Sequence, residues 1–164
     1  MMINKTVSYY NNADDSKSKI RYNLDYVLGM IRDDQELFQQ TVRLRSISTE
    51  EEYKQAKKLL PMIAPSGVFD YRNDNPENLR EYSNVLVLDF DHFQNHLDAG
   101  EFKRNLIDNA DRLYIYALWF SPSGLGVKVA MLHDNTTPMY HNELFRCIRE
   151  QLYPGIPEFD DKCG

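Results

Sequence analysis

A chain of 164 residues forms one domain, or one with an appendage, and a domain of that size buries roughly 70% of the surface its unfolded chain exposes. Its 42% hydrophobic residues, 11 Tyr and 8 Phe are a globular composition enriched in aromatics, and seven Gly with seven Pro exclude a low-complexity chain. The net charge of −6 excludes a uniformly basic nucleic-acid binder: ten Lys or Arg meet nine Asp or Glu in residues 1–69, four meet ten in 70–111, and five meet six in 112–164. The excess acid in the middle is either a solvated acidic face or a site that attracts cations. No apolar run approaches the roughly 18 residues of a membrane span, and "MMINKTVSYYNN" lacks the pattern of a secretory signal. A single cytoplasmic domain over residues 1–164, with no membrane partner, is expected. Cys147 and Cys163 are too few for a metal site and are expected as free thiols.

In chain order, "INKTVSYY" alternates as a strand and "NNADDSKSKIR" reads as polar loop. An amphipathic helix is predicted near residues 22–33, with Tyr22, Tyr26, Val27, Met30 and Ile31 on one face. "SISTEEEYKQAKKLLP" offers two overlapping capping boxes, Ser48 with Glu51 and Thr49 with Glu52, for a helix whose stripe is Tyr53, Ala56, Leu59 and Leu60 and which Pro61 ends. "PMIAPSGVFDYR" is a broken extended segment with a turn at Pro65, Ser66 and Gly67, and "NDNPENLREYS" a loop or single helical turn. Val85 to Leu88, apolar on both faces, reads as a central strand. A modest helix over 97–110 follows. "RLYIYALWFS" and "GVKVAMLH" are strands joined by the turn "SPSGLG". Thr137 and Pro138 then open a helix with Tyr140, Leu144, Cys147, Ile148 and Leu152 on one face. The sum is an α/β (α+β) fold, a mixed and largely antiparallel sheet with helices packed on it.

Two constellations carry chemistry. In "NVLVLDFDHF" a buried strand ends in Asp89 and Asp91, which alternation places on one side, about 6–7 Å apart at their α-carbons. At an effective dielectric near 20 they repel by about 2–3 kcal/mol, which water at an exposed strand end or a bound Mg²⁺ or Mn²⁺ would offset. Phe90, pointing the other way, would anchor the strand. Phe93 disfavours a haloacid-type phosphatase, and His92 with His96 is a poor zinc pair because His92 abuts the strand end. In "WFSPSGLGVKVAML", Ser121, Ser123, Gly124 and Gly126 make a turn whose amides would cradle an anion, with Lys128 on the next strand, or else a plain hairpin turn that needs glycine. Together the two describe a triphosphate-plus-cation arrangement, for which Asp160 or Asp161 would be a third acid.

"KKLLPMIAPSGVF", "LREYSNVLVLDFDH", "SPSGLGVKV" and "FDDKC" together resemble the VirE N-terminal-domain family, a primase-like branch of the archaeo-eukaryotic primase-polymerase superfamily. The resemblance implies a core related to the RNA-recognition sheet, with Asp89 and Asp91 as catalytic ligands of Mg²⁺ or Mn²⁺ and Asp161 as a third metal ligand. It also implies that Ser121, Ser123, Gly124, Gly126 and a catalytic Lys128 bind the nucleotide. The expected activity is that of a DNA primase- or polymerase-like nucleotidyltransferase of a mobile element or phage replication system. It would act on a nucleoside triphosphate over a single-stranded DNA template, with a helicase as partner or fused domain. Arg43, Arg45, Lys54, Lys57, Lys58 and Trp119 are candidates for the template path. The alternatives are a non-catalytic nucleic-acid-binding accessory domain of the same fold, and a different phosphate-processing enzyme using the same acid pair.

Overall fold

The computed structural model describes residues 3–17, 19–73 and 75–160. The fold is α+β: among the described residues there are five α-helices and three small antiparallel sheets. The chain divides into two compact units at Asn84/Val85. Among the described residues no helix is long and apolar enough to cross a membrane.

In the N-terminal unit, β1 (Thr6–Tyr10) lies between β2 (Ile20–Asn23) and β3 (Met62–Ala64), and β4 (Gly67–Phe69) pairs with β5 (Leu79–Tyr82). Its helices are α1 (Leu24–Asp33), α2 (Gln35–Arg45) and α3 (Glu50–Lys58). Several expectations are corrected here. The first helix starts at Leu24, because the Asn23 side chain accepts the Asp25 amide and caps it there. Residues 20–23, expected in a loop and a helix start, instead pair with β1, and the Tyr22 ring packs on Tyr9 at 5.1 Å. Asp34 then accepts the amides of Glu36 and Leu37 and starts α2, a helix the hydrophobic pattern does not announce. Thr49 is the N-cap of α3, but its hydroxyl bonds the Glu52 carboxylate (2.7 Å) rather than a free amide. Leu59, read as part of the α3 stripe, is 70% exposed, while Leu60 is buried. "NDNPENLREYS", read as a loop or single helical turn, does hold one 3-10 turn at Pro76–Asn78, but its "LREY" is β5.

The C-terminal unit carries β6 (Val85–Phe90), α4 (His96–Asp108), β7 (Ile115–Phe120), β8 (Val127–Leu132) and α5 (His141–Leu152). The sheet order is β6-β8-β7, so β8 is central, not the strand at Val85. β6 gains a neighbour on its other side through one antiparallel bridge, Phe90 to Phe159. One face of this sheet is the hydrophobic core: Leu86, Leu88, Phe90, Val127, Val129 and Met131 pack with Ala99 and Leu106 of α4 and Phe145 of α5. Phe90 is fully buried among the rings of Phe102, Tyr153 and Phe159, at centroid distances of 4.9–5.2 Å. On α5 the inward stripe is Phe145, Ile148 and Leu152; Cys147, expected on it, is exposed. Thr137 makes no side-chain cap, and Pro138–Tyr140 forms a single 3-10 turn ahead of α5.

Candidate functional site

Strand alternation sends every second side chain of the β6-β8-β7 sheet away from the core. Register then decides which of them meet. Asp89 pairs with Lys128, and Lys128 with Trp119, so carboxylate, ammonium and indole form one row across three strands. One step toward the strand ends stand Asp91, Gly126 and Ser121, with the Ser121 amide donating to the Gly126 carbonyl (2.8 Å). Asp89 and Asp91 therefore share the face opposite to Phe90, and the turn between β7 and β8 reaches the same edge.

The repulsion between the two acids is offset within the chain. Lys128 Nζ forms an ion pair with Asp89 Oδ2, with side-chain exposures of 28% and 12%. The Asp91 carboxylate turns back to accept the amide of His92 (Oδ1, 2.9 Å). His92 takes a left-handed backbone (φ 67°), an uncommon choice for a residue other than glycine that ends the strand abruptly. Asp91 Oδ1 and Ser121 Oγ both come within 3 Å of the point where a Cβ on Gly126 would sit, at 2.7 and 2.9 Å, as does the Phe90 carbonyl at 2.9 Å. Glycine at 126 is thus what lets a carboxylate and a hydroxyl converge over the β8 backbone.

The turn is tied down chiefly by its own groups. Gly124, at φ 76°, donates its amide to the Ser121 carbonyl (2.9 Å), and the Leu125 amide donates to Ser123 Oγ (3.1 Å). Ser121 Oγ and Ser123 Oγ share a hydrogen bond (2.8 Å). These contacts engage amides expected to face an anion, and they leave Lys128 and the hydroxyls as the groups that could meet one. His96 Nδ1 contacts the Gly124 carbonyl (3.1 Å) and the Phe93 amide donates to the Leu125 carbonyl (3.0 Å), so the start of α4 fixes the turn from outside.

The C-terminal segment brings two further acids. The Asp91 amide donates to the Glu158 carbonyl (2.8 Å) and the Asp160 amide to the Asp89 carbonyl (2.9 Å). This register sets Asp160 beside Asp89 and Glu158 beside Asp91, while Phe159 packs into the core against Phe90. Asp161 lies outside the described residues. The acid–aromatic–acid run at 158–160 is the signal of a strand-like segment that the turn-rich tail conceals. Among the described residues no group of three or more His, Cys, Asp and Glu is arranged to hold a metal ion. The oxygen donors beside Gly126 are the Asp91 carboxylate, the Ser121 hydroxyl and the Phe90 carbonyl, with the Asp89 carboxylate one row away on the same face; such a set suits Mg²⁺ or Mn²⁺, which take one or two carboxylates and complete their shells with phosphate oxygens and water. Arg43 and Arg45 lie in the last turn of α2, and Lys54, Lys57 and Lys58 on α3, all in the N-terminal unit; Lys54 is paired with Glu50 at 2.5 Å.

No curated protein and no solved structure matches the chain. Residues 54–153 match the family model described as BT4734-like, N-terminal domain. That is a different family from the VirE N-terminal domain, and it overturns the primase-like resemblance drawn from the motifs around Asp89 and Lys128. Since the match takes in more than half of the sequence and includes β6, β7 and β8, the chain belongs to the BT4734-like N-terminal domain family.

Proposed function

We propose that the acid-bearing face of the C-terminal sheet binds a nucleoside triphosphate together with Mg²⁺ or Mn²⁺, and that the protein is a metal-dependent nucleotidyl-transfer module. One observation carries the reading: Asp91 and Ser121 converge over Gly126, two residue pairs along the sheet from Asp89 and its partner Lys128. A purely structural ion pair would not need the second carboxylate and the missing Cβ beside it.

Asp89 and Asp91 would hold the cation, which neutralises phosphate charge and acidifies a bound hydroxyl. Lys128 exchanges Asp89 for phosphate oxygens when the nucleotide enters, and there offsets the negative charge that develops during transfer. The His92 amide keeps Asp91 oriented, and Phe90, locked among rings on the far face, holds the strand that bears both acids. A single-stranded template and a helicase partner are implied by the overturned resemblance alone, so neither is carried over to this chain.

A second reading, a non-catalytic nucleic-acid-binding module, is supported by the Asp89–Lys128 pair itself, since an acid already matched by a lysine has less need of a metal. Isothermal titration separates the two. With Mn²⁺ present, a nucleoside triphosphate should bind wild type, and Asp91→Asn should abolish that binding without changing the thermal midpoint. Absence of binding to wild type would sink the nucleotidyl-transfer reading.

A further inference from the structure

Trp119 is the largest aromatic side chain available to the C-terminal unit, yet it takes no place in that unit's core. Its neighbour Leu118 packs against the core, and Phe120, on the same side as Leu118's helices, lies under Lys103 at 4.3 Å. Trp119 instead projects to the face of Asp89 and Lys128 and is half-buried there. Leaving an indole partly in water forgoes the apolar burial that a core position would bring.

Register gives that position a chemical meaning. Trp119 is opposite Lys128, and Lys128 opposite Asp89. With neighbouring strands about 4.8 Å apart, the indole stands about 10 Å across the sheet from the acid strand. Read from β7 to β6, the row offers a flat π-surface, a cation and a carboxylate. A nucleotide bound with a divalent cation has the complementary order: aromatic base, phosphates, metal.

We infer that Trp119 is the stacking platform for the base of the bound nucleotide, an inference that rests on the nucleotide-binding reading above. The base lies on the indole, while Lys128 meets the phosphates one strand away. Because every base has a π-face, the platform accepts purines and pyrimidines alike, and selectivity among bases would have to come from other groups.

Trp119 is the chain's single tryptophan, so intrinsic indole emission reports this position and no other. Wild type is titrated in Mg²⁺ with ATP, with CTP and with inorganic tripolyphosphate, following emission and, in parallel, heat. Both nucleotides should quench the emission to saturation; tripolyphosphate should bind by calorimetry and leave the emission unchanged. Trp119→Ala should weaken nucleotide binding about tenfold and leave tripolyphosphate binding as it was. Trp119→Phe, which keeps a ring and guards against a misfolded alanine variant, should retain most of the affinity. If nucleotides and tripolyphosphate bind equally tightly and neither is weakened by Trp119→Ala, stacking is refuted while the nucleotide site stands. If neither ligand binds wild type, the site reading fails and takes this inference with it.

Discussion

The two units use charge differently. In the N-terminal unit the ion pairs sit in water: the carboxylates of Asp25, Asp70 and Glu50, partnered by Lys5, Arg80 and Lys54, are 52%, 43% and 81% exposed. In the C-terminal unit the Asp89 carboxylate that meets Lys128 is only 12% exposed. Exposed pairs contribute little to stability, whereas a desolvated pair is costly to assemble and costlier to break. A chain that puts its least exposed pair near a strand end, two residues from a second acid, has kept charge where apolar side chains would be the easier choice. The contrast singles out the Asp89–Lys128 pair without appeal to any motif.

The sharpest way to break the comparison is to remove what holds the acid strand. Phe90→Ala empties the space among Phe102, Tyr153 and Phe159 and should cost about 3–5 kcal/mol, read as a large fall in the midpoint of denaturant unfolding. Lys128→Met comes next. It leaves the Asp89 carboxylate half-stranded in a poorly solvated place and should cost about 1–3 kcal/mol; Asp89→Asn combined with Lys128→Met should recover part of the loss, which a double-mutant cycle on thermal midpoints measures. If the effects of Asp89→Asn and Lys128→Met simply added in the double variant, the pair would be energetically idle and the contrast with the N-terminal unit would vanish.

The parts of this arrangement that are legible in the sequence are the local ones. Alternation and a Ser/Gly turn suffice to read β7, β8 and the hairpin between them, and the i, i+2 spacing suffices to put Asp89 and Asp91 on one side. What depends on a distant partner is not legible. The strand at residues 20–23 looks like the first turn of α1 until β1 is there to pair with it, and Asp34 ends one helix and caps the next, so no gap in the polar pattern marks α2. Lys128 can be nominated for phosphate, but its ion pair with Asp89 needs the cross-strand register, which no single segment contains. The same holds for Asp160: its place beside Asp89 follows from a bridge between residues 69 positions apart, and the run Glu158, Phe159, Asp160 by itself reads as tail. Family assignment fails for a related reason, since an acid pair and a Gly-bearing turn are short patterns that unrelated sheets share.

A smaller effect comes from the histidines behind the sheet. His141 at the start of α5 has its pKa lowered to about 4, first by burial and second by His133, whose ring is 6.3 Å away; burial also lowers His133, opposed by Asp134. Both therefore favour the neutral form when folded. At a pH above the ordinary histidine value of 6.5 neither state carries the proton and stability is unaffected. As pH falls from 6.5 toward 4 the unfolded chain protonates His141 while the folded one resists, so stability declines through that window and levels off below it. Allowing for partial exposure, the loss should be about 1–2 kcal/mol. His141→Gln should flatten the acid side of a plot of thermal midpoint against pH relative to wild type; parallel curves would remove His141 as the cause.

The smallest effect is the control that gives the comparison its meaning. Arg80 hydrogen-bonds Asp70 in the N-terminal unit and holds that carboxyl below its usual range, which on paper looks like the Lys128–Asp89 pair. Yet both side chains are largely in water, which screens the attraction and hydrates whichever partner is left alone. Arg80→Met should therefore leave the thermal midpoint within the error of the melt, and added salt should not alter that result. Lys128→Met, measured in the same series, should fall well outside it. Were the two substitutions to cost the same, burial would not be what distinguishes the pair at Asp89, and the charged row on the C-terminal sheet would be ordinary surface.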